Sequence, residues 1–432
     1  MILGVFTHGC QLAVAPRRPW RAAAARALAL GAILWAASAP AAAQHSTRAE
    51  EIQAQREKKK AEVQPEENTP AERVLNTMRD KRVLERITEG YRGINLVFGG
   101  LATGQGFAMG PRYQRNYLAD GNLALRMSAR GSVAQAYLLD AEISLPRLAN
   151  DHLHLGVFAQ NRNFPRIGYY GPGPDSLKSN RTHYRLEDVL VEGQFIVKPT
   201  RRLNLGVTSG LLHVNTGPGN YADTLARTED VFTPAQVAGI DNQTSFLRHT
   251  AFVEFNYLDN PGGPRSGGYY VARFTYFDDR DLKLHDFRQL HLEAQQYIPF
   301  FNARRVIALR ARTVMSMENG ASSVPFYLQP SLGGPYDLRG FRAYRFHDDN
   351  HIAVNAEYRW ESFTGLEMAI FADAGKVTPK RSQLNFHNLE SSVGFGLRFN
   401  LRNNVFMRID TGFSHEGFQV WLKFSGPFED RR

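Results

Sequence analysis

The stretch Leu338-Arg339-Gly340-Phe341 decides the reading of this chain. It lies in a long loop rich in Gly and Pro. Two segments follow it, Ala356-Glu357-Tyr358-Arg359 and Phe371-Ala372-Asp373-Ala374-Gly375. Each sits in a run that alternates apolar and polar residues, the period of a β-strand with different surroundings on its two faces. A loop arginine is thus followed by acids on two successive strands, Glu357 and Asp373. That order predicts a loop folded back into a wide β-barrel and held there by its arginine. A guanidinium keeps its charge and bonds a carboxylate through two N–H groups at once, a geometry lysine lacks. Gly340 permits a tight backbone beside Arg339, and Phe341 can pack on the wall. The competing reading leaves Arg339 solvated and pairs Glu357 with Arg359 or Arg398.

Working outward, the period of two begins near Ile94 and continues to the end of the chain. Tyr137, Leu139, Ala141 and Ile143 alternate with Asp140, Glu142 and Ser144. Leu203, Leu205 and Val207 alternate with Asn204, Gly206 and Thr208. Ile352, Val354, Ala356 and Tyr358 alternate with Asn355, Glu357 and Arg359, and Val405, Met407 and Ile409 with Arg408 and Asp410. A soluble sandwich gives the same pattern with its apolar face inward. Here the polar face carries charges of both signs, as a wet lumen would. The connections also alternate. Short links near Pro146, Pro199, Phe300, Glu361 and Asn400 separate long ones at 161–182, 214–244, 318–349 and 375–390, as short periplasmic turns and long external loops do in outer-membrane barrels. The expected fold is all-β, a transmembrane antiparallel barrel of about 16 strands with an infolded external loop, preceded by a short helix.

The N-terminus reads as an export signal at residues 1–43. Arg17, Arg18, Arg21 and Arg26 give a basic start, Ala27 to Ala37 an apolar run, and Ala41-Ala42-Ala43 a cleavage site. The only cysteine, Cys10, falls in this leader, so no disulfide or thiol chemistry is expected of the mature chain. Residues 44–92 read as a charged periplasmic tail. They include one helix begun by Thr69-Pro70-Ala71-Glu72, with the capping-box residues and an early proline. Residues 93–432 form the barrel domain. The net charge of +10 lies partly in the leader and carries little weight. Nothing resembles a nucleic-acid module.

At the other end, Phe418, Val420, Leu422 and Phe424 alternate with Gln419, Trp421 and Lys423 after Gly417. They read as the C-terminal sorting signal by which barrels are passed to the assembly machinery. The eight residues Ser425 to Arg432 that follow depart from the usual ending. Trp360, Trp421, Tyr269-Tyr270 and Phe300-Phe301 suit an aromatic girdle.

On these residues, the region from Ile94 to Phe424 resembles the barrel of the BamA/TamA-like outer-membrane assembly-factor superfamily, the bacterial surface antigens. In that family the sixth external loop enters the lumen, and the arginine of its Val/Leu-Arg-Gly-Tyr/Phe motif contacts acids on the inner wall. Leu338-Arg339-Gly340-Phe341 matches that motif. Glu357 and Asp373 look like its acids, and Tyr169-Tyr170-Gly171-Pro172-Gly173 also looks familial. The resemblance implies a role in inserting or translocating proteins or lipids at the outer membrane. Its implied partners are outer-membrane lipid, the barrel assembly machinery during the chain's own insertion, and barrel-protein or lipid clients, with no nucleic acid. The segment before Ile94 reads as too short and polar for a POTRA domain, so insertion activity would rest on the barrel seam alone or on a separate partner. That seam is expected between a first strand at 94–107 and a last at 418–424, weakened by Gly99-Gly100 and Gly104-x-Gly106. A passive pore with the loop as its constriction is the alternative.

An enzyme is not expected: no Gly-x-Ser-x-Gly elbow occurs. No cofactor or metal is expected either. His152 and His154 lie on one strand face without further ligands, and the run His347-Asp348-Asp349-Asn350-His351 reads as a loop end.

Overall fold

Alternation carried over ten or more residues, broken by Gly, Pro and Asn, gives long antiparallel strands joined in sequence. The structure is a computed structural model that describes residues 91–428 except 100, 120, 222–224, 402–403 and 427. The signal peptide, tail and helix expected before Tyr91 lie outside the described residues. In chain order the strands are β1 (Ile94–Phe98), β2 (Ala108–Leu118), β3 (Leu123–Ser132), β4 (Tyr137–Arg147), β5 (Leu153–Tyr169), β6 (Thr182–Thr200), β7 (Leu203–Pro218), β8 (Ser245–Asn256), β9 (Gly267–Asp279), β10 (Phe287–Phe300) and β11 (Arg305–Glu318). After a long loop come β14 (Asn350–Phe363), β15 (Leu366–Thr378), β16 (Glu390–Leu401), β17 (Asn404–Ser414) and β18 (Gly417–Lys423). Within that loop, β12 (Ser331–Leu332) and β13 (Phe346–His347) form a separate two-stranded ribbon.

The sixteen long strands form one antiparallel meander that starts at β1 and ends at β18. The expected barrel is not closed: among the described residues no ladder joins β1 to β18. The first strand explains why. It was expected to reach Phe107 but stops at Phe98 after five residues. Gly99, Gly104 and Gly106 then take positive φ angles of +68°, +91° and +78°, and the chain turns over the concave side, where Leu101, Ala102 and Thr103 line a cavity. Along that detour residues 101–107 form no ladder with β18. The two edges still approach through side chains. The Phe424 ring lies 6.0 Å from that of Phe98 and 5.5 Å from that of Phe107, and Lys423 Nζ donates to Thr103 Oγ1 at 3.1 Å.

Polarity across this sheet is reversed relative to a soluble sandwich. Apolar side chains such as Ile143, Val157, Val207, Val253, Ile370 and Phe395 are exposed on one face. Asp188, Glu192, Arg310, Glu357, Arg398 and Asp410 are buried on the other. An exposed apolar face of this extent requires an apolar surrounding. Among the described residues the largest apolar cluster lies at the long-loop end. There Phe164, Ile167, Tyr169 and Tyr184 on the extended ends of β5 and β6 pack with Phe246, Phe287, Phe326 and Tyr327. This packing explains why β5, β6 and β7, at 17, 19 and 16 residues, outrun the length expected of them.

Candidate functional site

The loop from 319 to 349 lies against the charged face, and register explains what it meets. Side chains directly opposite on neighbouring strands share a face. Glu357 stands between Ala308 and Phe371. Asp373 stands between Asn355 and Ser392. Asp410 stands between Gly396 and Trp421, and Arg408 between Arg398 and Lys423. Rows of this kind on β14 to β18 line one wall with carboxylates, arginines and small residues.

Arg339 is inserted into that wall at 2% exposure. Its Nη1 donates to Glu357 Oε2 at 2.5 Å, while Nη2 and Nε donate to Asp373 Oδ1 and Oδ2 at 2.8 and 3.0 Å. The Arg339 backbone N–H adds a third bond to Asp373, at 3.1 Å. The guanidinium carbon lies 3.4 Å from the centre of the Phe371 ring, in the geometry of a cation–π contact. Asn355 Nδ2 and Ser392 Oγ donate to the same Asp373 carboxylate, at 2.9 and 3.3 Å. The structure therefore brings Arg339, Glu357 and Asp373 together, with Arg339 bidentate on Asp373 and single on Glu357.

The network is wider than the sequence suggested. Arg398 Nη2 donates to Glu357 Oε2 at 2.8 Å and its Nη1 to Asp410 Oδ1 at 2.5 Å. Arg408 donates to Asp410 and, at 2.9 Å, to the Pro335 carbonyl in the loop. Arg359 donates to the Pro264 carbonyl, and its Nε lies 3.8 Å from Glu357 Oε1. Glu357 thus meets both Arg339 and Arg398; the Arg398 pairing belongs to the competing reading, but its solvated Arg339 does not match the 2% exposure found. Such groups are costly to desolvate singly and tolerable only as a paired set. Arg408 and Asp410 were missed; they occupy polar positions of β17, as Arg398 does of β16, and the long Arg398 side chain, not direct register, links Asp410 to Glu357.

Two glycines shape the fit. Gly340 does not have a positive φ, so its role is not the backbone freedom first inferred. A Cβ there would lie 2.6 Å from Ser392 Cβ and 2.7 Å from Phe413 backbone. Gly412, overlooked in the sequence, faces it: a Cβ there would lie 2.4 Å from the Arg339 carbonyl. Loop and wall meet backbone to backbone at these positions. Trp421 Nε1 donates to the Arg339 carbonyl at 2.8 Å, and Ser414 Oγ to that of Gly340 at 2.9 Å. Trp421 therefore belongs to the concave face and not to a girdle. Phe300 and Trp360 each stack on Tyr358, at 5.9 and 5.5 Å. Phe341 is fully buried with Leu332, Leu338, Phe346, Ala353 and Val377.

The loop is also tied to its neighbours. Pro172 pairs with His347, and Gly173 N–H donates to the His347 carbonyl at 2.8 Å. Arg345 reaches Ser176 Oγ at 2.9 Å and Glu416 Oε1 at 2.8 Å. Burial lowers the pKa of His347 to about 3 and raises that of Asp348 to about 7. Burial also raises Asp349, to about 6. Among the described residues no three or more His, Cys, Asp and Glu group to hold a metal ion. His152 is engaged by the Lys198 carbonyl at 2.8 Å. At the chain's end, Gly417, Phe418, Val420 and Leu422 lie on β18. Phe418, Val420 and Leu422 are 63%, 58% and 53% exposed at the sheet edge, with Phe424 just beyond.

A sixteen-stranded meander with one exposed apolar face, one buried ion-paired face and a long loop set against the latter defines a class of antiparallel β-sheet protein. The chain belongs to the Omp85 superfamily: the model of the Omp85 superfamily domain matches residues 120–413. It is similar in fold to BamA from Haemophilus ducreyi lacking POTRA domains 1–3, with 14% identity, 77% of this chain and 69% of that one covered, and a TM-score of 0.56. It is also similar to CdiB from Escherichia coli, with 13% identity, 77% and 62% covered, and a TM-score of 0.50. The chain thus spans less than two thirds of CdiB. No curated protein matches it in sequence. The likeness to these two structures is one of fold.

Proposed function

We propose that this protein is exported to the outer membrane of a Gram-negative cell after removal of residues 1–43, and assists insertion or translocation of proteins, or of lipids, there. The working element is the pair of unjoined edges, β1 and β18. Arg339, Gly340, Phe341, Glu357 and Asp373 hold the loop that braces the wall ending in β18, while Gly417, Phe418, Val420, Leu422 and Phe424 serve its own delivery to the assembly machinery. The observation that carries the reading is the absence of a β1–β18 ladder among the described residues beside a buried, ion-paired brace. Unpaired strand edges are templates for another strand, and a rigid neighbouring wall keeps the edge in place. Reconstitution in liposomes with and without a nascent barrel client tests this. The client should fold faster with the protein, and equal rates would refute the reading.

A cavity of about 1120 Å³ on the concave side favours a second reading, the passive pore. Planar-bilayer recording separates the two. Steady, large, ion-selective openings support the pore, and a mostly closed conductance supports the first reading.

A further inference from the structure

The concave cavity has a wall that the ionic brace does not use. One row crosses four strands: Arg273 on β9 stands opposite His291 on β10, His291 opposite Val314 on β11, and Val314 opposite His351 on β14. All four line the cavity. Neighbouring strands lie ~4.8 Å apart, so the two imidazoles straddle a gap of roughly 10 Å over the short Val314 side chain. His351 is 2% exposed, and neither of its ring nitrogens has a hydrogen-bond partner. The buried Nε of Arg273 has none either. Such groups at the wall of a cavity await a ligand or water.

Charge bookkeeping gives the sign of that ligand. The row has no carboxylate. In the adjacent row, Glu293 is taken by Arg310 at 2.8 and 3.2 Å, with His291 3.5 Å away. Glu254 accepts from Asn204 and Tyr269 at 2.9 and 3.0 Å. Asp337, from the loop, is taken by Arg312 at 2.7 Å. Arg162, on the far wall, is matched by Asp188 at 2.5 Å. The acids around the niche are therefore engaged, and Arg273 stands without a counter-ion. A guanidinium with two imidazole donors around a small niche is the chemistry of an oxyanion site.

The geometry points to a binding site for a phosphate group in this cavity, formed by Arg273, His291 and His351. The group could be carried by a lipid headgroup or by a free solute, and the test separates them. Full-length protein in detergent is titrated calorimetrically with inorganic phosphate, and separately with a short-chain phosphatidic acid, against chloride at equal ionic strength. Saturable binding of phosphate assigns a solute site. Binding of phosphatidic acid alone assigns a headgroup site. Arg273→Gln and His351→Ala should each weaken the binding at least about tenfold, as loss of a hydrogen bond to a charged group does. Arg126→Gln, which removes an exposed pair with Glu142, should leave it unchanged. If His351→Ala fails to fold, Arg273→Gln, at a half-buried position, still decides. Absence of binding by both probes, or binding unaltered in Arg273→Gln, overturns the assignment.

Discussion

Arg339 gains its hold from shape as much as from charge. Its two outer nitrogens and Nε reach two carboxylates, and the Phe371 ring closes the remaining side. Arg339→Ala leaves Glu357 with Arg398 but takes from buried Asp373 the cation that pairs it. Removing one partner of a buried pair costs about 3–5 kcal/mol. The folded form that resists SDS before heating should therefore be depleted far more by Arg339→Ala than by Arg342→Ala, as a gel shift would read. Arg339→Lys should rescue little, because an ammonium cannot span both acids. Equal behaviour of the two alanine variants would remove the bracing role. The facing glycines give an independent test. Gly412→Ala places a methyl group against the Arg339 carbonyl carbon and oxygen and should cost about 1–3 kcal/mol by overpacking. Loss of loop protection from protease, with the strands unchanged, is the expected sign.

At the scale of elements, the strands were the most legible part. Alternation located the middle strands and the short and long connections, because one face of each strand meets a different medium from the other. The first strand was misread, since Gly99 to Gly106 have the composition of a weak strand while their positive φ angles turn the chain inward. Arg398 was legible as an alternative partner of Glu357, but Asp410 was not, because only the long Arg398 side chain links it to Glu357. The ribbon of β12 and β13 was read as plain loop, and its burial gives it a pH signature. Asp348, raised to about 7, favours the docked loop at low pH and withdraws that support as pH rises through about 7. Asp349, raised to about 6, acts in the same direction. His347, lowered to about 3, acts oppositely and weakens docking as pH falls below its ordinary value. Asp348→Asn removes an acid-favoured contribution and leaves that of His347. The pH of best loop protection, read by hydrogen exchange, should then move upward, and an unchanged or lower optimum would contradict this balance.

For the whole molecule the decisive question is whether the edges β1 and β18 must part. They are held by the rings of Phe98, Phe107, Phe406 and Phe424 and by Lys423 on Thr103, with no backbone ladder among the described residues. Side-chain contacts without a ladder are the cheaper kind to separate, since no main-chain hydrogen bond is left unpaired when they break. The edges are also close enough to lock. A Cβ at Gly99 would lie 3.6 Å from Phe424 Cβ, within the ~3.5–4.5 Å that a disulfide spans. Gly99→Cys with Phe424→Cys should form that bond under oxidation, at some cost because position 99 has a positive φ. If insertion proceeds through the seam, the oxidised protein should lose its effect on client folding in liposomes, and reduction should restore it. Each single variant serves as the control for loss of the aromatic ring or for strain at residue 99. Full activity in the oxidised, cross-linked protein would mean that clients do not pass between these edges, whatever the bracing loop does.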